Sequence, residues 1–327
     1  MTLPELTDPV VLCLPDGHLN RPAVGYSRRP LHTTNMRGWG RNKRWEYWGI
    51  VTDRHCVGMT ISNLDYLQVH QLYVYDRQSG QEISTDVLSP GLAHTQLPDH
   101  VAPLTASMHT SKLDLRFRER HDGTELTAIS KRVTLSLVAG WSGDALCVVV
   151  PWDETRFQYT VKDLGRPLTG SITVDGTRFD LEPGANFGVL DRGRGRWPYS
   201  LTWNWAAGCG VVDGVSIGLQ LGGKWTDGTG STENALFIDG RMTYWPDPVE
   251  WDYDDRTWSA PWRIRGRSVD ATLTPFHVRD AVSNVGVISS DTHQAFGRWS
   301  GWAADDDGVR YPLDGLVGWA EQAKNRW

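Results

Sequence analysis

Three short stretches of this 327-residue chain put acids, cations and aromatic rings close enough together to do chemistry. The first is Lys43-Arg44-Trp45-Glu46-Tyr47-Trp48-Gly49. Read as a strand, it turns Lys43, Trp45 and Tyr47 to one side and Arg44, Glu46 and Trp48 to the other. A carboxylate beside an indole, with water excluded, has a raised pKa and suits a general acid. The same residues also fit a structural tryptophan closing a barrel base, with Arg44 or Lys43 over it as a cation–π cap.

The second stretch is Asp191-Arg192-Gly193-Arg194-Gly195-Arg196-Trp197-Pro198-Tyr199, followed by Trp203-Asn204-Trp205. Three arginines spaced by glycines repel unless they are paired or hold an anion, and Asp191 can pair well with one of them. On a strand Trp203 and Trp205 share a face while Asn204 points to the other, although bends could bring all three around one cavity. This stretch reads either as an aromatic pocket wall or as a buried arginine–aspartate network that fixes a loop. No Gly-Lys-Ser/Thr follows, so it is not a phosphate loop.

The third runs from Thr226 to Ala235, a polar glycine-rich loop entering the apolar run ALFI. Glu233 and Asn234 stand at the loop–strand edge, where barrels commonly carry site residues. Its carboxylates are too few and wrongly spaced for calcium. A turn held by local side-chain-to-backbone bonds is the plainer alternative.

The rest of the chain excludes several classes. Ten histidines are scattered without metal-binding spacing, and Cys13, Cys56, Cys147 and Cys209 form no Cys-x-x-Cys pair, so no metal and no cofactor are expected. Buried thiols fit a reducing cytoplasm. A net charge of -6 and the lack of a basic stripe argue against nucleic acid. No secretory signal and no run of ~18 apolar residues is present, so no transmembrane segment is expected. His293 is a weaker acid–base candidate near the aromatic segment Trp299-Ser300-Gly301-Trp302.

The elements that must position these residues are strands. Asp-Gly occurs at 16, 122, 175, 213, 227, 239, 307 and 314, several times between alternating apolar residues such as SITV-DG-TRFDL and ALFI-DG-RMTYW. That pattern predicts antiparallel hairpins. One helix is expected, over Leu313 to Arg326, where Leu316, Val317, Trp319, Ala320 and Ala323 recur at helical spacing. Many short strands at this length predict two barrels. The expected organisation is an arm at 1–40, a first barrel at 41–180 and a second at 181–327, with the junction in the glycine- and proline-bearing region 161–186. Twelve of the 17 tryptophans lie after residue 190, which weights any aromatic pocket towards the second half.

The segments KRWEYWGIVTD, FGVLDRGRGRWPYSLTWNWAAG, TENALFIDG, FGRWSGW and GWAEQAKNRW together resemble the bacterial family known as domain of unknown function 2804, over most of the chain. More distantly, WEYWGIVTD resembles the opening Glu-Trp-Trp-Tyr segment of the carotenoid hydratase, tocopherol cyclase and AttH-type lipocalin-like proteins. The order differs here, and asparagine (Asn204) stands where those hydratases carry an acid. The resemblance implies an all-β fold of two consecutive lipocalin-like barrels. With the tryptophan supply, it implies a cofactor-independent lyase or isomerase of hydratase or cyclase type, acting on a hydrophobic, isoprenoid-like small molecule. Asp191 or Glu233 would supply the proton, and Trp45, Trp203 and Trp205 would stabilise a developing cation. Glu46 and Asn234 would lie in the pocket. Tyr199 and Asn204 would orient substrate or water, and Arg194 would tune the acid or bind an anionic group. A non-catalytic lipid binder and a glycan-stacking surface are the alternatives. The oligomeric state is not legible.

Overall fold

The computed structural model describes residues 3–91, 95–100, 102–182, 184–285 and 288–327. The protein is all-β, and its contacts divide it into two compact units, Glu5–Trp197 and Pro198–Trp327. Among the described residues no helix is long and apolar enough to cross a membrane.

Hairpin chemistry sets the local structure. At Asp175-Gly176, Asp213-Gly214 and Asp239-Gly240 both turn residues have positive φ, between 48° and 82°. Such turns match the right-handed twist of the strands they join. The expected pairs SITV/TRFDL and ALFI/RMTYW form as written, Val174 opposite Thr177 and Ile238 opposite Arg241.

In Glu5–Trp197 one curled sheet of 14 strands is described. Its centre runs from His55–Asn63 through Asn42–Val51 and Phe187–Arg196 to the long strand Phe157–Val174, all antiparallel. One face carries an apolar cluster that includes Trp48, Ile50, Leu115, Phe117 and Leu190. Residues before 41, expected as an arm, are partly built in. Tyr26–Ser27 pairs with Leu146–Pro151, and Leu12, Cys13, Leu19 and Ala23 are buried against Phe157, Tyr159 and Val161. The junction expected at 161–186 lies inside Phe157–Val174 and its hairpin. Phe187–Arg196 pairs on both edges with strands of this unit, so the units divide at Trp197 and Pro198 rather than after 180.

In Pro198–Trp327 a ten-stranded sheet has Ser200–Val212, Val317–Arg326, Ile288–Ala304 and Val269–Val285 at its centre. The C-terminal segment expected as a helix is instead a strand: Val317–Arg326 pairs on one edge with Ser200–Val212 and on the other with Ile288–Ala304. It is buried on both faces through Ala323. A strand apolar on both sides loses the two-residue alternation, so its apolar positions fell by chance at helical spacing.

Candidate active site

The Arg-Gly-Arg-Gly stretch resolves into two faces of one strand. Arg192 and Arg194 turn to the same side as Glu46, Trp48 and Leu190, because residues opposite one another in an antiparallel pair share a face: Glu46 stands opposite Arg192 and Trp48 opposite Leu190. Glu46 is fully buried and its Oε1 lies 2.6 Å from Arg192 Nε and 3.3 Å from Arg194 Nη2. Arg192 also pairs with Glu119 at 2.7 Å. Arg194 donates further to the carbonyls of Trp45, Gly193 and Pro98 at 2.8–3.2 Å. Burial pushes the Glu46 carboxyl up, and the two guanidiniums oppose that shift. Burial disfavours the charged form of Arg192, yet Glu46 and Glu119 more than offset it and raise its pKa. Arg194 is lowered by burial to about 10 and stays charged at neutral pH. This cluster is a buried ion network in which Glu46 Oε2 has no hydrogen-bond partner among the described residues.

The glycines occupy the opposite face. A Cβ on Gly193 would meet the Trp45 ring at 2.1 Å, and one on Gly195 would meet Gln158 Oε1 at 2.2 Å. Trp45 therefore lies over bare backbone and packs edge-on against Trp197 at 5.4 Å. Asp191 is on this face too, 2.9 Å from Lys162 Nζ, and the strand itself separates it from Arg194.

The remaining expected residues belong to the other unit and do not meet in one place. Tyr199 is 43% exposed. Trp203 donates to Glu321 Oε1 at 3.1 Å, and Trp205 to Gln220 Oε1 at 2.9 Å, both on the face opposite Asn204. Glu233 is buried against Gly222, opposite Trp205, on that same face. Asn234 is spent on backbone, accepting from Gly222 N–H and donating to the Asp247 carbonyl.

Asn204 leads to a different constellation. Gly223, Asn204, Gln322, His293 and Asp280 stand opposite one another on successive strands and form one transverse row on a single face. One step along the strands the row is Leu221, Ala206, Ala320, Ala295 and Val278. Its three alanines leave room for large rings, and Trp262, Tyr253 and Trp258 pack on this cluster. Tyr253 stacks on Trp262 at 4.1 Å and 10°. Trp258 stacks on His293 at 4.3 Å and 11°, with Asp280 and Asp291 at the two ring nitrogens of His293, 2.5 and 3.0 Å away.

At the rim of this face Lys224 Nζ lies 2.6 Å from Tyr253 Oη and 2.5 Å from Gln322 Oε1. The Tyr253 hydroxyl donates to Gln322 Oε1 at 2.6 Å and accepts from Asn204 Nδ2 at 3.0 Å. Asn204 and Gln322 are buried, Tyr253 is half-buried and Lys224 is exposed, so the phenol stands between interior and solvent. Lys224 has φ +66°, whereas the other non-glycine residues with positive φ among those described are aspartates. That conformation costs on the order of 1 kcal/mol for a residue with a Cβ. A phenol beside an ammonium can give up a proton and leave a stabilised phenolate. Lys224, Tyr253 and Gln322 were not singled out in the sequence. Tyr253 reads there as part of an acidic loop, EWDYDD, and a backbone angle leaves no mark in a sequence. The one local hint is the lysine after two glycines in GGKW.

A groove of about 420 Å³ also lies in this unit, lined in part by Trp245, Arg267, Trp302, Asp305 and Arg310. The Arg310 guanidinium covers the Trp302 ring at 3.6 Å, so that ring face is already taken. Among the described residues no cluster of His, Cys, Asp and Glu could hold a metal ion.

Curled antiparallel sheets of this kind are shared with several solved structures of low sequence identity. The chain is similar to a putative AttH from Nitrosomonas europaea, with TM-score 0.51, 15% identity and 86% of this chain over 92% of that one. It is also similar to kievitone hydratase from Nectria haematococca, with TM-score 0.52, 11% identity and 88% over 89%. A third similar structure is CghA, solved with and without Sch210972, with TM-score 0.53, 12% identity and 87% over 88%. No curated protein matches by sequence. The family model called domain of unknown function (DUF2804) matches residues 4–327, and the chain belongs to that family.

Proposed function

We propose that the protein is a hydratase- or cyclase-type enzyme that transfers a proton to a hydrophobic small molecule, with Tyr253 as the proton donor. The observation that carries this reading is the Lys224–Tyr253–Gln322–Asn204 network beside the Tyr253/Trp262 stack. Lys224 stabilises the phenolate left behind, and Asn204 and Gln322 fix the hydroxyl. The half-buried Trp258 offers an apolar flank to the substrate. The shared fold with kievitone hydratase and CghA is compatible with such chemistry.

Asp191 and Glu233, the acids expected from the sequence, take no part in this reading. Asp191 is ion-paired with Lys162, and Glu233 lies on the face away from Asn204. The test is incubation with a panel of apolar alkenes, enones and prenylated phenols in deuterated water, reading solvent deuterium in the product by mass spectrometry. Deuterium transfer that survives Asp191→Asn and Glu233→Gln supports the assignment. Absence of transfer across the panel, or its loss in a folded Asp191 or Glu233 variant, contradicts it.

A further inference from the structure

We infer that the substrate is an alkene conjugated to a carbonyl, converted through an enolate, and not an unactivated isoprenoid alkene converted through a carbocation. This rests on Tyr253 being the proton donor. Protonating an isolated alkene makes a cation where the donor stands, and here the donor's oxygen is 2.6 Å from an ammonium. Like charges at that range raise the barrier. The phenolate left by the transfer does not offset this, because Lys224 already balances its charge, and Asn204 and Gln322 are neutral amides. Glu321, adjacent in sequence, is directed to the other face, where Trp203 and Gln294 hold it. Asp254, adjacent to Tyr253, is exposed and turned to the Arg256 backbone N–H at 2.9 Å, so solvent screens its charge. His293 occupies Asp280 and Asp291.

An enolate reverses the sign. Lys224 spends two ammonium hydrogens on Tyr253 and Gln322, which leaves the third N–H for a substrate oxygen. Charge-assisted bonds of this kind stabilise an oxyanion as it forms.

The step balances without a co-reactant other than water. The water oxygen bonds to the β-carbon, the alkene π pair becomes the enolate double bond, and the carbonyl π pair moves to oxygen beside Lys224. The proton lost by that water passes to bulk solvent at the exposed rim. The enolate then collapses to the ketone as its α-carbon takes the Tyr253 hydroxyl proton, and the phenolate is reprotonated from solvent. One water is added across the double bond, and nothing is oxidised or reduced. A hydroxyl of the substrate in place of water gives ring closure by the same route.

The experiment uses the full chain and two probes, dibenzoylmethane, an enolised β-diketone, and diphenylpropane, the hydrocarbon of the same skeleton. Binding is read by quenching of tryptophan fluorescence. Wild type is expected to prefer the diketone by about tenfold or more, as a charge-assisted hydrogen bond requires. Lys224→Met is expected to lose that preference while keeping hydrocarbon binding, and Lys224→Arg to retain most of it. A preference that is absent, or unchanged in Lys224→Met, overturns the inference. In the deuterium assay, transfer to enones supports it. Transfer only to unconjugated alkenes overturns the substrate class and leaves the Tyr253 reading standing, whereas no transfer to either overturns both.

Discussion

Replacing Glu46 by glutamine removes one negative charge from between two buried arginines without changing side-chain volume. Glu46 is fully buried, and its Oε1 is within 3.3 Å of both Arg192 and Arg194. Removing one partner of a buried ion pair costs about 3–5 kcal/mol, because the other charge stays buried. Arg192 keeps Glu119 at 2.7 Å and Arg194 keeps its carbonyls, so the low end applies, about 3 kcal/mol. Hydrogen exchange of peptides from Asn42–Val51 and Phe187–Arg196 reads this directly, since both strands hold the network. Their opening equilibrium should rise by roughly 150-fold. Breaking the exposed Arg132–Asp175 pair with Asp175→Asn should leave these peptides unchanged. Exchange in Glu46→Gln within about twofold of wild type would refute the reasoning and mean that the buried side chain is neutral in the folded protein.

Gly193→Ala drives a Cβ to 2.1 Å from the Trp45 ring and should destabilise by about 1–3 kcal/mol, measured by urea unfolding. Burial lowers the pKa of His70 from 6.5 to about 4 and shifts buried His32 and His55 the same way. The unfolded chain therefore binds protons between pH 6.5 and 4 that the folded chain refuses. The His70 contribution is complete above pH 6.5 and is lost as pH falls towards 4. It amounts to at most about 3 kcal/mol, and His70→Asn should flatten the urea midpoint between pH 7 and 5. All four cysteines are buried free thiols, and burial pushes Cys13 up to about 11 and Cys56 and Cys147 up to about 12. None should react quickly with Ellman's reagent in the native protein, and all four should react in urea.

The hairpins were the most legible part of the sequence, since Asp-Gly between alternating residues states both the turn and the faces that flank it. The Arg-Gly stretch announced that its charges needed partners but did not name them. Glu46 and Glu119 lie far away in the chain and reach Arg192 only through strand register. The terminal strand misled because burial on both faces erased its alternation. The Tyr253 network could not be seen beforehand. Asn204, Lys224, Tyr253 and Gln322 come from four separate segments, and none shows a local spacing that points to the others. Trp203 and Trp205 drew attention by their type, yet the period of the strand sends them to the face opposite Asn204.

The central claim is that the Tyr253 hydroxyl moves the proton. Its most direct measurement is kcat and KM of Tyr253→Phe on the first substrate identified, since phenylalanine keeps the ring that stacks on Trp262 and removes only the hydroxyl. Loss of a general acid predicts a fall in kcat of about a hundredfold or more. KM should stay within about threefold, because the stacked ring and the Lys224 ammonium remain. A kcat equal to that of wild type would contradict the account and move the proton donor elsewhere in the molecule.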